Sequence, residues 1–428
     1  MNKLKSLDKP FEISKWAVQQ AWEKVKANKG APGVDEVSIE AFEADLQNNL
    51  YRVWNRMSSG SYFPPPVRAV EIPKPHGGGT RMLGIPTVAD RVAQTVVAEE
   101  LKVKAETLFH DDSYDYRPGR SAIDAVGACR QRCWKTNWVI DLDVQKFFDS
   151  VSWDLMLKAV GANTDLPWVV LYVRRLLQAP VQLPDGTLQQ RDRGTPQGSP
   201  VSPVLANLFL HYAFEAWLAR EFPTVRFERY VDDAVVHCVS ERQAHQVLAA
   251  VQDRMGEVGL RLHPDTTRIV YCKDGKRRGD SAHTSFTFLG FTFRPRGVRD
   301  KNGSMFVSFL PRDQQGRLEK DRAGSAVLAA APSHRSYLRR SGRQDQPDRA
   351  RLDELLRRLL SVGAISPPDP HQRLPDAVGP QQVSPVSGPL GVQPGVVAGD
   401  KAIPAVLRAL GLDHRRPRRL VTKVTRAV

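Results

Sequence analysis

Two strand-like runs, NWVIDLDV (137–144) and FERYVDDAVVHCV (227–239), carry carboxylates inside otherwise apolar patterns. A period of two places Asp141 and Asp143 on one face of the first run. The second reads as two short strands meeting at a turn on Asp232 and Asp233. Adjacent aspartates at a turn are ordinary turn formers, and one such tetrad alone says nothing more. Two acidic strand ends in one chain say more. Phosphoryl transfer by two metal ions needs carboxylate oxygens from at least two elements. Mg2+ takes hard oxygen ligands and keeps several waters, so two or three aspartates suffice. Asp143, Asp232 and Asp233 are the candidates.

The surrounding pattern predicts how those runs are supported. Helical periodicity covers Phe11 to Asn28, Ser38 to Met57, Val88 to about Leu108, and Ser121 to Trp134 with Ser121 as N-cap. It returns over Trp153 to Val160, Trp168 to Leu177, Val204 to Arg220 and Glu241 to Val258. VRAVEIPK (67–74) alternates as a strand before a turn at HGGGT, and FTFLGFTFRPRG and SMFVSFLP supply the last strands. Strands drawn from distant parts of the chain with helices between them predict an α+β sheet backed by helices. HGGGT invites a phosphate-loop reading, but the Walker and GxGxxG spacings are absent, which leaves a hairpin turn.

Composition narrows the partners. A formal charge of +15 and a pI near 9.8 favour a polyanion, nucleic acid being the commonest. Cys129, Cys133, Cys238 and Cys272 have no C-x-x-C spacing, so they read as reduced core residues of a cytoplasmic protein rather than a disulfide framework or zinc module. MNKLKSLDKPFEIS lacks the apolar run of a signal peptide, and no eighteen apolar residues stand together, so neither export nor a membrane span is expected.

The chain changes character near residue 320. Of 33 aromatic residues only Tyr337 lies in residues 321–428, a stretch with 12 prolines and 16 arginines against 2 lysines. A packed domain of that size uses more aromatic bulk, so a largely disordered basic tail is expected there, with RARLDELLRRLL (349–360) its clearest helical pattern. Loss of lysine and aromatics with gain of Arg, Pro and Ala is also what a GC-rich gene gives out of frame.

The order of the motifs adds a resemblance. IPKPHGGGTRMLGIPTVADRVAQTVV (72–97), SYDYRPGRSAIDAV (113–126), VIDLDVQKFFDSV (139–151), GTPQGSPVSPVLANLFL (194–210), RYVDDAVV (229–236), GLRLHPDTTRIVY (259–271) and FTFLGFTF (286–293) together resemble the fingers and palm of reverse transcriptases, most closely the bacterial group II intron-encoded reverse transcriptase/maturase kind. The resemblance implies a right-hand polymerase: a helical N-terminal region over 1–60, fingers and an antiparallel palm sheet over 61–310, and a degenerate thumb/maturase region or basic tail over 311–428. It implies Asp143, Asp232 and Asp233 as catalytic metal ligands, with the Val144 carbonyl as a further one and Mg2+ as the ion, Mn2+ substituting. Lys74 and Arg81 would contact the triphosphate, Phe147 would pack against the sugar and exclude a 2′-hydroxyl, and Gln197 would face the incoming nucleotide. The implied partners are an intron RNA template, a DNA or RNA primer and deoxynucleoside triphosphates.

This chain departs from the family at four places. Thr266 stands where a lysine thought to help pyrophosphate leave is usual, Val231 where alanine is usual, and Met82 where proline is usual. After Pro311 the aromatic segment and basic helices of a thumb and maturation domain are missing. The expected activity is RNA-directed DNA synthesis on intron RNA, with assistance to splicing. The alternative is a catalytically weak RNA-binding splicing factor or a decayed retroelement remnant.

Overall fold

The computed structural model describes residues 9–73, 80–300 and 303–313. Lys74, residues 76–79 of the expected HGGGT turn and the region past 313, with the expectations attached to them, lie outside the described residues.

The chain opens with α1 (Lys15–Asn28), α2 (Ile39–Ala44) and α3 (Leu46–Ser58), the first two started by serine caps at Ser14 and Ser38 that accept from Ala17 N and Ala41 N. The single helix expected over 38–57 is broken at Asp45, whose backbone leaves helical geometry (φ −125°, ψ 47°). A hairpin follows, β1 (Val67–Pro73) and β2 (Thr80–Ile85), antiparallel from Arg68↔Ile85 to Pro73↔Thr80. Then come α4 (Val88–Ala105) and α5 (Ala122–Lys135), the latter begun by a reciprocal capping box between Ser121 and Asp124.

β3 (Trp138–Asp143) leads into α6 (Phe147–Ser150), α7 (Trp153–Ala162) and α8 (Pro167–Gln178). Two short strands, β4 (Val181–Gln182) and β5 (Leu188–Gln189), extend the β1–β2 sheet, β4 lying parallel to β1. The helix expected over 204–220 is present as α9 (Ser202–Leu210) and α10 (Ala216–Glu221), joined by a π-helical turn, His211–Glu215. β6 (Arg226–Tyr230), β7 (Asp233–Cys238), α11 (Glu241–Glu257), β8 (Arg268–Tyr271), β9 (Phe286–Phe288), β10 (Phe291–Arg299) and β11 (Met305–Asp313) complete the order.

The expected α+β architecture is present, and the site stands on its central sheet. That sheet runs β6-β7-β3-β8, every pair antiparallel. Both faces are covered, which is why its strands are apolar on alternate and intervening positions alike. One face, with Ile140, Leu142, Phe227, Ala234 and Val236, joins the large core formed with α4, α9 and α11. The other, with Val139, Val235 and Val270, packs on Cys129 and Cys133 of α5 and on Phe286, Phe288, Phe293 and Phe309 of the three-stranded sheet β11-β10-β9. Phe286 and Phe293 stack at 4.7 Å between centroids, with planes 7° apart. All four cysteines are buried and unpaired, in keeping with reduced core residues.

Candidate active site

The sheet register does what the two acidic runs require. Asp143, the last residue of β3, lies directly opposite Asp233, the first of β7, so both side chains leave the same face at the same edge. Asp232 sits on the turn before them, preceded by Val231 at φ +55°, a left-handed conformation that β-branched residues seldom adopt. Asp233 is exposed, Asp143 and Asp232 partly buried. Asp232 lines a small cavity together with Leu142, Val144 and Ala234, and its burial, reinforced by the neighbouring Asp143 charge, pushes its carboxyl up to about 6.

Asp143 is also held from β8's side. Thr266 Oγ1 donates to Asp143 Oδ2 at 2.8 Å, and the His263 amide donates to its carbonyl at 2.8 Å. Val144 bridges Leu262, and the two bonds framing that bridge run between Asp143, Gln145, Arg261 and His263. The Val144 carbonyl is therefore turned away from Leu262. Asp141, two residues back on the same strand face, is set apart by Arg268, whose Nε lies 3.4 Å from its carboxylate. Burial pushes the Asp141 carboxyl up to about 7, with Arg268 opposing.

Three carboxylates from two strands and their turn, with a backbone carbonyl beside them, form an all-oxygen donor set that fits Mg2+ or Mn2+. A second cluster with ligand-type atoms among the described residues, Cys129, Glu228 and His237, does not fit as well. His237 Nε2 is hydrogen-bonded to Glu228 Oε2 at 2.6 Å, and the other Glu228 oxygen accepts from Arg132 at 2.7 Å. Burial opposes charge on His237, yet Glu228 and Cys133 push its pKa up to about 10. Its atoms are satisfied as a buried ion pair.

The residues expected at the nucleotide are placed on separate elements. Arg81, partly buried on β2, shares a hairpin face with Arg68, and the Nε atoms of both are buried without a hydrogen-bond partner among the described residues. Such orphaned donors are what an anion would satisfy. Gln197 is partly buried, and its carbonyl accepts from Gly84 N of β2 at 2.7 Å. Gly198 makes that approach possible: it sits at φ +107°, and a Cβ there would meet Gly84 O at 2.8 Å. Phe147 is 1% exposed, its ring packed against Phe148 and Phe209 at 5.3 and 6.3 Å. A ring so enclosed is core packing. Its neighbour Phe148 is partly exposed and borders both apolar clusters, and its carbonyl accepts from Thr195 N at 2.7 Å. Adjacency in the sequence carries no signal of which of the two rings faces inward. Nor does the sequence alone point to Thr266 as an Asp143 donor or to Arg229 beneath the turn.

Residues 72–293 match the family model described as reverse transcriptase (RNA-dependent DNA polymerase). The chain is 29% identical to protein YkfC of Escherichia coli K12 over 331 residues, 67% of this chain and 82% of that one. It is 28% identical to the group II intron-encoded protein LtrA of Lactococcus lactis over 193 residues, 45% of this chain and 32% of LtrA. Among solved structures it is similar to telomerase from Candida albicans in complex with a fragment of telomeric RNA, at 14% identity and a TM-score of 0.43, over 61% of this chain and 50% of that one.

Proposed function

Because this chain belongs to the reverse transcriptase (RNA-dependent DNA polymerase) family, we propose that it is a group II intron-type polymerase that copies intron RNA into DNA. The supporting observation is the edge of the central sheet, where Asp143 and Asp233 stand opposite each other beside Asp232. A protein that only bound RNA would have no physical need for that constellation. Relatives named as group II intron proteins support the substrate class, and the net charge of +15 suits a polyanionic template.

The reaction joins the primer's 3′-oxygen to the α-phosphorus of a deoxynucleoside triphosphate, breaks the α–β phosphoanhydride bond and releases pyrophosphate. Mg2+ held by Asp143, Asp232, Asp233 and the Val144 carbonyl would supply charge neutralisation at the phosphates and a more acidic attacking hydroxyl. Arg81, and Lys74 beyond the described residues, bind the triphosphate. Gln197 faces the nucleotide, and Phe148 rather than Phe147 bounds the sugar and rejects a 2′-hydroxyl. Thr266, hydrogen-bonded to Asp143, has no ammonium to offer the departing pyrophosphate, so turnover is expected to be slow.

Primer extension on an RNA template tests the proposal. It should need Mg2+ or Mn2+, and Asp232→Ala or Asp233→Ala should abolish it in folded protein. Near-normal extension by either variant would remove the metal site from these residues. A parent that binds intron RNA and promotes splicing without extending any primer would instead establish the splicing-factor reading.

A further inference from the structure

Beneath the turn that carries Asp232 lies a buried polar cluster with no part in the chemistry above. Arg229, on β6, is 2% exposed and Glu215 is fully buried. The Arg229 guanidinium donates to Glu215 Oε1 at 2.7 Å, Asn207 Oδ1 at 3.1 Å, Ser113 Oγ at 2.6 Å and the Val231 carbonyl at 2.9 Å. Glu215 ends the π-helical turn, and its other oxygen accepts from the His211 ring at 3.0 Å and the His110 amide at 3.3 Å. Burial works against ionisation of Glu215, but the Arg229 charge and the His211 hydrogen bond hold its carboxyl well below the usual range. Ser113, Asn207 and Arg229 belong to three separate sequence motifs, and here they converge on one guanidinium.

Burying an ion pair is a poor way to gain stability, since apolar side chains of the same volume commonly do as well. What it supplies here is direction. Val231 is held at φ +55°, and such a conformation persists only where its surroundings over-determine it. The Arg229 bond to the Val231 carbonyl is the contact placed to do so, one peptide ahead of Asp232.

We propose that Arg229 is a positioning residue for the metal site: by fixing the Val231 carbonyl it holds the left-handed turn that aims Asp232 at the ion shared with Asp143 and Asp233. The inference rests on the polymerase reading of those carboxylates.

Mn2+ binding to the full chain, followed by electron paramagnetic resonance without nucleic acid, gives a readout separate from activity. Arg229→Lys keeps the charge but loses the planar fork, and should weaken Mn2+ binding about tenfold while the circular dichroism spectrum is retained. Val231→Gly removes the steric cost of the positive φ. Added to Arg229→Lys, it should restore most of the lost affinity, which a merely structural role for Arg229 would not allow. Unchanged binding by Arg229→Lys, or a deficit that Val231→Gly leaves in place, overturns the proposal. Should Arg229→Lys fail to melt cooperatively, Asn207→Ala takes its place; it removes one anchor of the guanidinium, and parent-like Mn2+ binding by that variant is equally fatal. A parent that binds no Mn2+ overturns the carboxylate reading and this proposal together, whereas a binding parent with an equally binding variant overturns this proposal alone.

Discussion

Burial separates Phe147 from Phe148, and substitution should separate them in the same way. Phe147→Ala removes a ring that is 1% exposed, so it should lower stability by about 3–5 kcal/mol and leave nucleotide selectivity nearly unchanged in the protein that remains folded. Phe148→Ala should cost less stability and raise incorporation of ribonucleotides relative to deoxynucleotides. Parallel denaturant melts and single-nucleotide competition assays check both; a selectivity change confined to Phe147→Ala would reverse the assignment. A second residue-scale prediction concerns Asp90, which accepts from the Tyr62 hydroxyl and from Gln94 Nε2, each at 2.9 Å, in a fully buried site. Burial pushes its carboxyl up to about 6 despite both bonds and the nearby Arg91. A folded-state pKa raised above the unfolded value means the folded chain binds the proton more tightly. The contribution of Asp90 is therefore fully present below about pH 4 and lost as pH rises through about 6. Asp90→Asn should be more stable than the parent at pH 8, by on the order of 3 kcal/mol, and the gap should close below pH 4. A gap that stays constant with pH would mean the Asp90 carboxyl titrates normally. Asp143, Asp232 and Asp233 stood out in the sequence as a group, because charge inside an apolar strand pattern has few bland explanations, and the register brings Asp143 opposite Asp233. The buried Asp90, the Thr266 bond to Asp143 and the inward ring of Phe147 did not stand out, since each depends on which neighbour the fold delivers.

At the scale of elements, long periodic segments such as those now seen as α5, β3 and α11 announced themselves, and the cap expected at Ser121 accepts a backbone N–H as its position requires. β4 and β5 have two residues each, too short for any period to register. The π-helical turn was read as plain helix, because one extra residue per turn leaves the apolar pattern of 204–220 almost unchanged. Its consequence is large: it closes on Glu215, the partner of Arg229. The approach of β2 to the 194–200 loop was equally hidden, although its glycines were in view. A Cβ on Gly84 would meet Val67 Cγ1 at 2.7 Å and Pro196 Cβ at 3.0 Å, and one on Gly198 would meet the Gly84 carbonyl oxygen at 2.8 Å. Gly198→Ala adds a positive-φ penalty to a backbone clash, so it should push β2 off the loop and move Gln197. The expected outcome is a rise in KM for the deoxynucleotide of about tenfold or more with a smaller fall in kcat, since binding geometry rather than the metal carboxylates is disturbed. Steady-state kinetics on a fixed primer and template check it, and a pure kcat effect would place the loop elsewhere in the cycle.

For the whole molecule, charge is divided unevenly along the chain. Residues 1–320 carry a net +6 and residues 321–428 a net +9, the latter from 18 basic and 9 acidic groups. Residues 1–320 are therefore only mildly basic for a protein proposed to hold an RNA template, and many of their cations are already committed: Arg132, Arg229 and Arg268 to carboxylates, Arg175 to backbone carbonyls, and Lys9 to the face of Trp54 at 3.4 Å. Nonspecific attraction for phosphate should accordingly reside disproportionately in residues 321–428. Each phosphate contact releases condensed counterions, giving a salt slope of roughly 0.7 per contact on single strands. A chain of residues 1–320 should then bind RNA with a shallower dependence of log affinity on log salt than the full chain. It should keep its metal-dependent extension at low salt, because the central sheet and its carboxylates lie within it. Filter binding across a salt series, alongside primer extension, measures both. Equal slopes would relocate the phosphate contacts to residues 1–320. Loss of folding, or of preference for one RNA over others, would mean that residues 321–428 complete a thumb, and the change of composition near residue 320 would then mark a divergent domain rather than a shifted frame.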